Sequence, residues 1–79
     1  MPRYYFDVRD DTGVYRDQVG LDLPDMDSAI AEARKALADM TRESLATDGS
    51  GDFDIVIRDG DGGPVRLTVN LTTERPDGT

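Results

Sequence analysis

The 79-residue chain contains neither cysteine nor histidine. That excludes disulfides, thiolate chemistry, zinc sites built on Cys and His, and Ser-His-Asp triads. Ser28, Ser44 and Ser50 have no imidazole to activate them. Tryptophan is absent too, and aromatic residues make up only 6% of the chain, so a core must rest largely on aliphatic side chains. No apolar run approaches the roughly 20 residues that span a bilayer. Positive charge is scarce: nine Lys and Arg stand against 17 Asp and Glu, a formal net charge of −8. The basic residues are scattered, and the longest run is the pair Arg34-Lys35. Nucleic acid is repelled by such a chain unless it holds a basic patch, and anionic membrane surfaces are disfavoured for the same reason. A basic protein partner, or none, suits this charge. The opening Met1-Pro2-Arg3-Tyr4 lacks a charged stretch followed by an apolar one. A cytoplasmic location is therefore expected, and the lack of cysteine is compatible with it.

At 8.7 kDa there is room for one domain. A fold of that size buries only about 62% of the surface its unfolded chain exposes, so the core is thin. Tyr4, Phe6 and Val8 alternate with Tyr5, Asp7 and Arg9, the period of a strand with one buried face. Asp10-Asp11-Thr12-Gly13 is turn chemistry, and Val14-Tyr15-Arg16 starts a return strand. Asp17-Gln18-Val19-Gly20 interrupts it before Leu21-Asp22-Leu23 resumes, which places a bulge or bend near Gly20. Pro24-Asp25 opens a helix over 26–47, with Asp25 as N-cap and Asp27 in the first turn. Ile30, Ala33, Leu37, Met40 and Ser44 form its apolar line, with Met26 one turn earlier, and Asp48-Gly49 is its stop, with Gly49 at the C′ position. Such a helix runs about 33 Å against about 23 Å for a seven-residue strand, so its last turn, around Leu45, overhangs the sheet or frays.

Phe53, Ile55 and Ile57 mark a third strand and Val65, Leu67, Val69 and Leu71 a fourth, separated by the breaker-rich loop Asp59–Pro64. The order is ββαββ. One face of the sheet is apolar and the other carries Tyr5, Asp7, Arg9, Asp54, Arg58, Arg66, Thr68 and Asn70. The expected fold is α+β: a four-stranded, mainly antiparallel sheet with one long helix packed on one face. The first strand and one strand of the second hairpin form its central pair. Residues 1–71 make the single domain, and residues 72–79 a flexible polar tail.

Two resemblances rest on these residues. Met1-Pro2-Arg3-Tyr4-Tyr5-Phe6, followed by Asp17-Gln18-Val19-Gly20-Leu21-Asp22-Leu23-Pro24-Asp25 and an Ala-rich helix, resembles a family of short uncharacterised bacterial proteins over roughly residues 1–71. In many relatives a His follows the Phe of the first strand; here that position is Asp7. The resemblance implies no activity. More weakly, Tyr4 to Leu37 is similar to the N-terminal part of HicB-type antitoxins. That similarity implies masking of a small basic ribonuclease toxin, to which an acidic domain is complementary. HicB proteins commonly add a C-terminal DNA-binding segment where this chain has a short polar stretch.

Several patterns invite a chemical reading, and a bland one outweighs each. Asp59-Gly60-Asp61-Gly62-Gly63 has the alternate acids of a calcium loop, but Gly63, Pro64 and Asn70 stand where an EF-hand needs an acidic or amide residue, Gly and Glu. Asp48-Gly49-Ser50-Gly51-Asp52 has Phe53 at its sixth position. Both read as exposed turns. The pairs Asp10/Asp11 and Asp59/Asp61 lack the pocket that acid–base catalysis needs. Gly60, Gly62 and Gly63 are followed by no Lys-Ser/Thr and no helix, so they make no phosphate loop. Lys35, the only lysine, belongs to a solvated helix face. No catalytic residue, cofactor site or metal site is expected. The candidate surface is the polar sheet face, where Tyr5 beside Val56 could anchor a protein partner, with Arg9, Arg58 and Arg66 around them. The ordinary alternative is a cross-strand pair with Arg9 and Arg58 bound to Asp7 and Asp54. The chain is expected to be a non-catalytic interaction or regulatory module, monomeric or homodimeric.

Overall fold

The computed structural model describes residues 1–47 and 49–78. The chain runs β1 (Arg3–Asp10), β2 (Gly13–Tyr15), β3 (Leu21–Asp22), α1 (Met26–Ala46), β4 (Gly51–Arg58) and β5 (Val65–Leu71). The sheet is antiparallel in the order β2-β1-β4-β5, with β3 beside β2 on the same edge of β1. The expected α+β fold is present, with β1 and β4 as the central pair. The strand count differs by one, because the return strand is two short pieces rather than one bent one.

Alternation places the core. Tyr4, Phe53, Ile55 and Ile57 are buried on one face of β1 and β4, against Ala29, Ala33 and Leu37 of α1. Phe6, Val8, Leu67, Val69 and Leu71 pack around them and remain partly exposed. Ala29, fully buried, was not on the apolar line read from the sequence; the stripe runs Ala29-Ala33-Leu37, and its small members let the helix lie close to the sheet. Asp25 caps α1, its carboxylate accepting the Ser28 N–H at 2.8 Å. At the other end Thr47 is the C-cap and Gly49 donates its N–H to Ser44 O at 2.7 Å. Gly49 therefore stands at C″, one residue beyond the position expected for it, in the outer bond of a Schellman closure. Leu45 in the last turn is 65% exposed, as an overhanging end requires.

The loop after β4 folds back onto Tyr4. A Cβ on Gly60 would lie 1.9 Å from the ring edge of Tyr4, so only glycine fits there. Beneath it the Tyr4 hydroxyl is buried with no hydrogen-bond partner among the described residues. Burial, then the charges of Asp61 and Asp25, push its pKa up, so the phenol stays neutral. Residues 72–75 have no regular structure, and Pro76–Gly78 form a single 3-10 turn. Asp48, half of the expected helix stop, and Thr79 lie outside the described residues. No described helix is long and apolar enough to cross a membrane.

Candidate functional site

The polar face is organised by strand register. Tyr5 faces Arg58, Asp7 faces Val56 and Arg9 faces Asp54. All four expected surface residues, Tyr5, Val56, Arg9 and Arg58, thus share this face. Tyr5 and Val56 are diagonal neighbours rather than a facing pair, and both are half-buried rather than exposed. Arg58 covers Tyr5, its guanidinium carbon 4.7 Å from the ring centroid, within cation–π range.

Arg58 is the hub of a network. Its Nε donates to Asp7 Oδ2 at 2.8 Å, Nη1 to Asp59 Oδ2 at 2.7 Å, and Nη2 to the Asp17 carbonyl. Asp7 Oδ1 in turn accepts the Asp17 N–H at 2.9 Å. The Asp17 carboxylate then does what a strand would have done. Its Oδ2 accepts the Phe6 N–H at 3.1 Å, and its Oδ1 accepts the N–H groups of Val19 and Gly20 at 2.9 and 3.1 Å. Phe6 lies between the stretches of β1 paired with β3 and β2, so Asp17 fills the gap in the ladder with a side chain.

The same contacts fix the loop 16–20. Gly20 has φ +77°, and a Cβ there would meet Arg3 Cγ at 2.8 Å and Tyr5 Cε2 at 2.9 Å. A side chain at this position would therefore collide with Arg3 and the edge of the Tyr5 ring. Arg3 reaches over to donate Nη1 to Val19 O at 2.8 Å and pairs with Asp22 at 3.0 Å. Arg9 pairs with Asp54, which is 4% exposed, so this buried carboxylate is not left uncompensated.

Electrostatics agree with the geometry. Burial alone would raise the Asp7 carboxyl, but the hydrogen bond from Arg58, that from the Asp17 N–H, and the charges of Arg58 and Arg16 leave it below the ordinary carboxylate range. Asp17 is likewise lowered: burial acts upward, and the N–H groups of Val19, Phe6 and Gly20 and the Arg58 charge outweigh it. The Arg58 guanidinium is raised, chiefly by its bond to Asp7. Carboxylates held ionised in this way are anchors, not proton donors. Sequence reasoning assigned Asp7 to ion pairing but treated Asp17 only as an interruption. Its signal was present: an Asp three residues before a glycine inside a broken strand accepts local backbone N–H groups.

This scaffold displays apolar side chains. Of the six large hydrophobic residues that are exposed among the described residues, four, Val14, Tyr15, Val19 and Leu21, lie in the broken edge. Val14, on the polar face beside Arg9, borders a hollow of about 210 Å³ floored by Val56 and rimmed by Asp7, Arg9, Asp54 and Arg66. The acidic turns are local structures. Asp10 Oδ1 accepts the N–H groups of Thr12 and Gly13 and the Thr12 hydroxyl, and Asp59 is held by Arg58. Lys35 is 74% exposed beside Glu32. Among the described residues no three acidic side chains gather closely enough to hold a metal ion.

A family model described as Domain of unknown function (DUF6894) matches residues 3–72, nearly the whole chain. The chain belongs to that family. No curated protein and no solved structure matches it.

Proposed function

We propose that this DUF6894 domain is a non-catalytic binding module that engages a protein through its broken sheet edge and the polar face beside it. The observation that carries the reading is the concentration of exposed Val14, Tyr15, Val19 and Leu21 on a segment pinned by Asp17, Arg58 and Arg3. An apolar side chain held in place loses little freedom on binding, which favours it as an anchor. Tyr5 and Arg58 then serve as the platform of the surface, with Val56 and Arg9 lining the hollow beside Val14. The net charge of −8 favours a partner of net positive charge. A cytoplasmic setting is part of the proposal, and the lack of cysteine accords with it.

The non-catalytic part rests on chemistry. The chain has no Cys or His, and its two best-organised carboxylates, Asp7 and Asp17, are committed to an arginine and to backbone N–H groups. The test is capture of a partner by the tagged chain, repeated with both components purified. Val19→Asp adds a charge at an exposed site, so it leaves the melting temperature unchanged. It is expected to weaken binding tenfold or more, about 1.4 kcal/mol, as loss of an interface anchor does. Tyr5→Asp, which removes the platform, is expected to weaken binding at least as much. A small basic ribonuclease belongs among the purified candidates because of the similarity to HicB-type antitoxins. Full binding by both variants would refute the surface.

A further inference from the structure

We propose that two copies of the chain pair through β5, antiparallel about a two-fold axis at Thr68, into one continuous sheet. The two edges of the sheet are built differently. On the β1 side the neighbouring strands are three and two residues long, interrupted by the Asp17 loop and followed by Pro24, which is how proteins block an edge. On the other side β5 runs seven residues in unbroken register with β4, from Gly51↔Leu71 to Ile57↔Val65. It contains no proline or glycine, carries one charged residue, Arg66, and among the described residues has no strand on its outer side.

The inward face of β5 is also unfinished. Leu67 and Val69 are only half-buried, and between them and α1 runs a groove of about 440 Å³ lined also by Arg34, Leu37, Ala38 and Thr41. The exposed Leu45 continues the same helix face one turn on, at the i, i+4 spacing from Thr41.

The strand is self-complementary, which selects a second copy as its occupant. Pairing about Thr68 sets Val65 against Leu71 and Leu67 against Val69, apolar on apolar along the inward face. On the outward face Arg66 meets Asn70. Asn70 already donates its Nδ2 to the Asp52 carboxylate, so Arg66 of the second copy stands one strand, about 5 Å, beyond the residue bonded to that acid. A guanidinium spans that distance, giving an Arg–Asn–Asp row at each end of the interface. Pairing about Arg66 would instead oppose like charges. A two-fold axis normal to the sheet puts both helices on the same side, groove toward groove, with the small Ala38 and Thr41 between them. This interface lies on the edge opposite the broken one; Arg66, which also rims the hollow beside Val14, is common to both surfaces, and the test of the dimer rests on Thr68, so either can fail without the other.

The experiment is sedimentation of the full chain over a range of concentrations at about 0.1 M and about 1 M salt, where the screening length falls from about 10 to about 3 Å. A reversible dimer is expected, tighter at high salt because the net charges of −8 repel each other. Thr68→Lys places a cation opposite the same chain's own Asp54, so the fold is kept, but it also faces itself across the axis. Dimerisation is expected to weaken at least tenfold. In a chain without native cysteine, Thr68→Cys is expected to form a disulfide dimer under mild oxidant, whereas Arg66→Cys and Asn70→Cys cross-link mainly with each other. A monomer at every concentration and salt would overturn the proposal. So would a dimer indifferent to Thr68→Lys and not cross-linked through position 68.

Discussion

Asp17 shows how one side chain replaces a missing length of strand. Three N–H groups, from Phe6, Val19 and Gly20, end on its carboxylate, and its own backbone is held by Asp7 and Arg58. Asp7 and Asp17 both titrate below their unfolded values, so the native state binds fewer protons than the unfolded chain as they protonate. The stability they contribute is full above the unfolded carboxylate range near pH 4 and is lost as the pH falls through the lower, folded values. Thermal unfolding followed from neutral pH downward is expected to show a loss that begins near pH 4. Asp17→Asn, which cannot carry the charge, is expected to be less stable at pH 7 and to lose less on acidification. Equal pH slopes for the two proteins would contradict the assignment. The alternation in the sequence placed Tyr5, Arg9, Val56 and Arg58 on one face. What it did not reveal was that Arg58 stacks over Tyr5 and that Gly20 comes close to the edge of the same ring, because those contacts join residues far apart in the chain.

At the scale of elements, patterns of period two and period 3.6 are local, and they located β1, β4, β5 and α1 to within two residues. The return strand was harder. Its interruption was visible in Asp17–Gly20, but whether the chain bulges within a strand or leaves the sheet depends on where the orphaned Phe6 N–H finds an acceptor. Ala29 escaped the apolar line because Ile30 beside it carries the stronger hydrophobic signal at i−3 from Ala33, whereas the buried stripe runs through Ala29 at i−4. The β4–β5 loop carries a similar hidden constraint, since its Gly60 lies against the buried Tyr4 ring. Gly60→Ala pushes a methyl group into that ring, and is expected to cost about 1–3 kcal/mol in chemical denaturation. Gly62→Ala has room for its Cβ but strains the backbone at φ +79°, so it destabilises without disturbing the Tyr4 ring. The near-ultraviolet signal of Tyr4 is therefore expected to change in the Gly60 variant and not in the Gly62 variant.

For the whole molecule, sequence alternation and charge were sufficient to derive an acidic α+β domain with one apolar sheet face. The apolar residues at the broken edge were not assignable, because burial of Tyr15 and Val19 depends on which strand stops and where. The structure leaves them in solvent at 69% and 74% exposure. The proposed function requires that edge to be a held surface rather than a loose loop. Amide hydrogen exchange at neutral pH tests this directly. The N–H groups of Phe6, Asp17, Val19 and Gly20 are expected to be protected in the native chain, and those of Phe6, Val19 and Gly20 to lose protection in Asp17→Ala while the β1–β4 ladder keeps its own. Exchange of these four groups at unprotected rates in the native chain, beside a protected β1–β4 ladder, would contradict it.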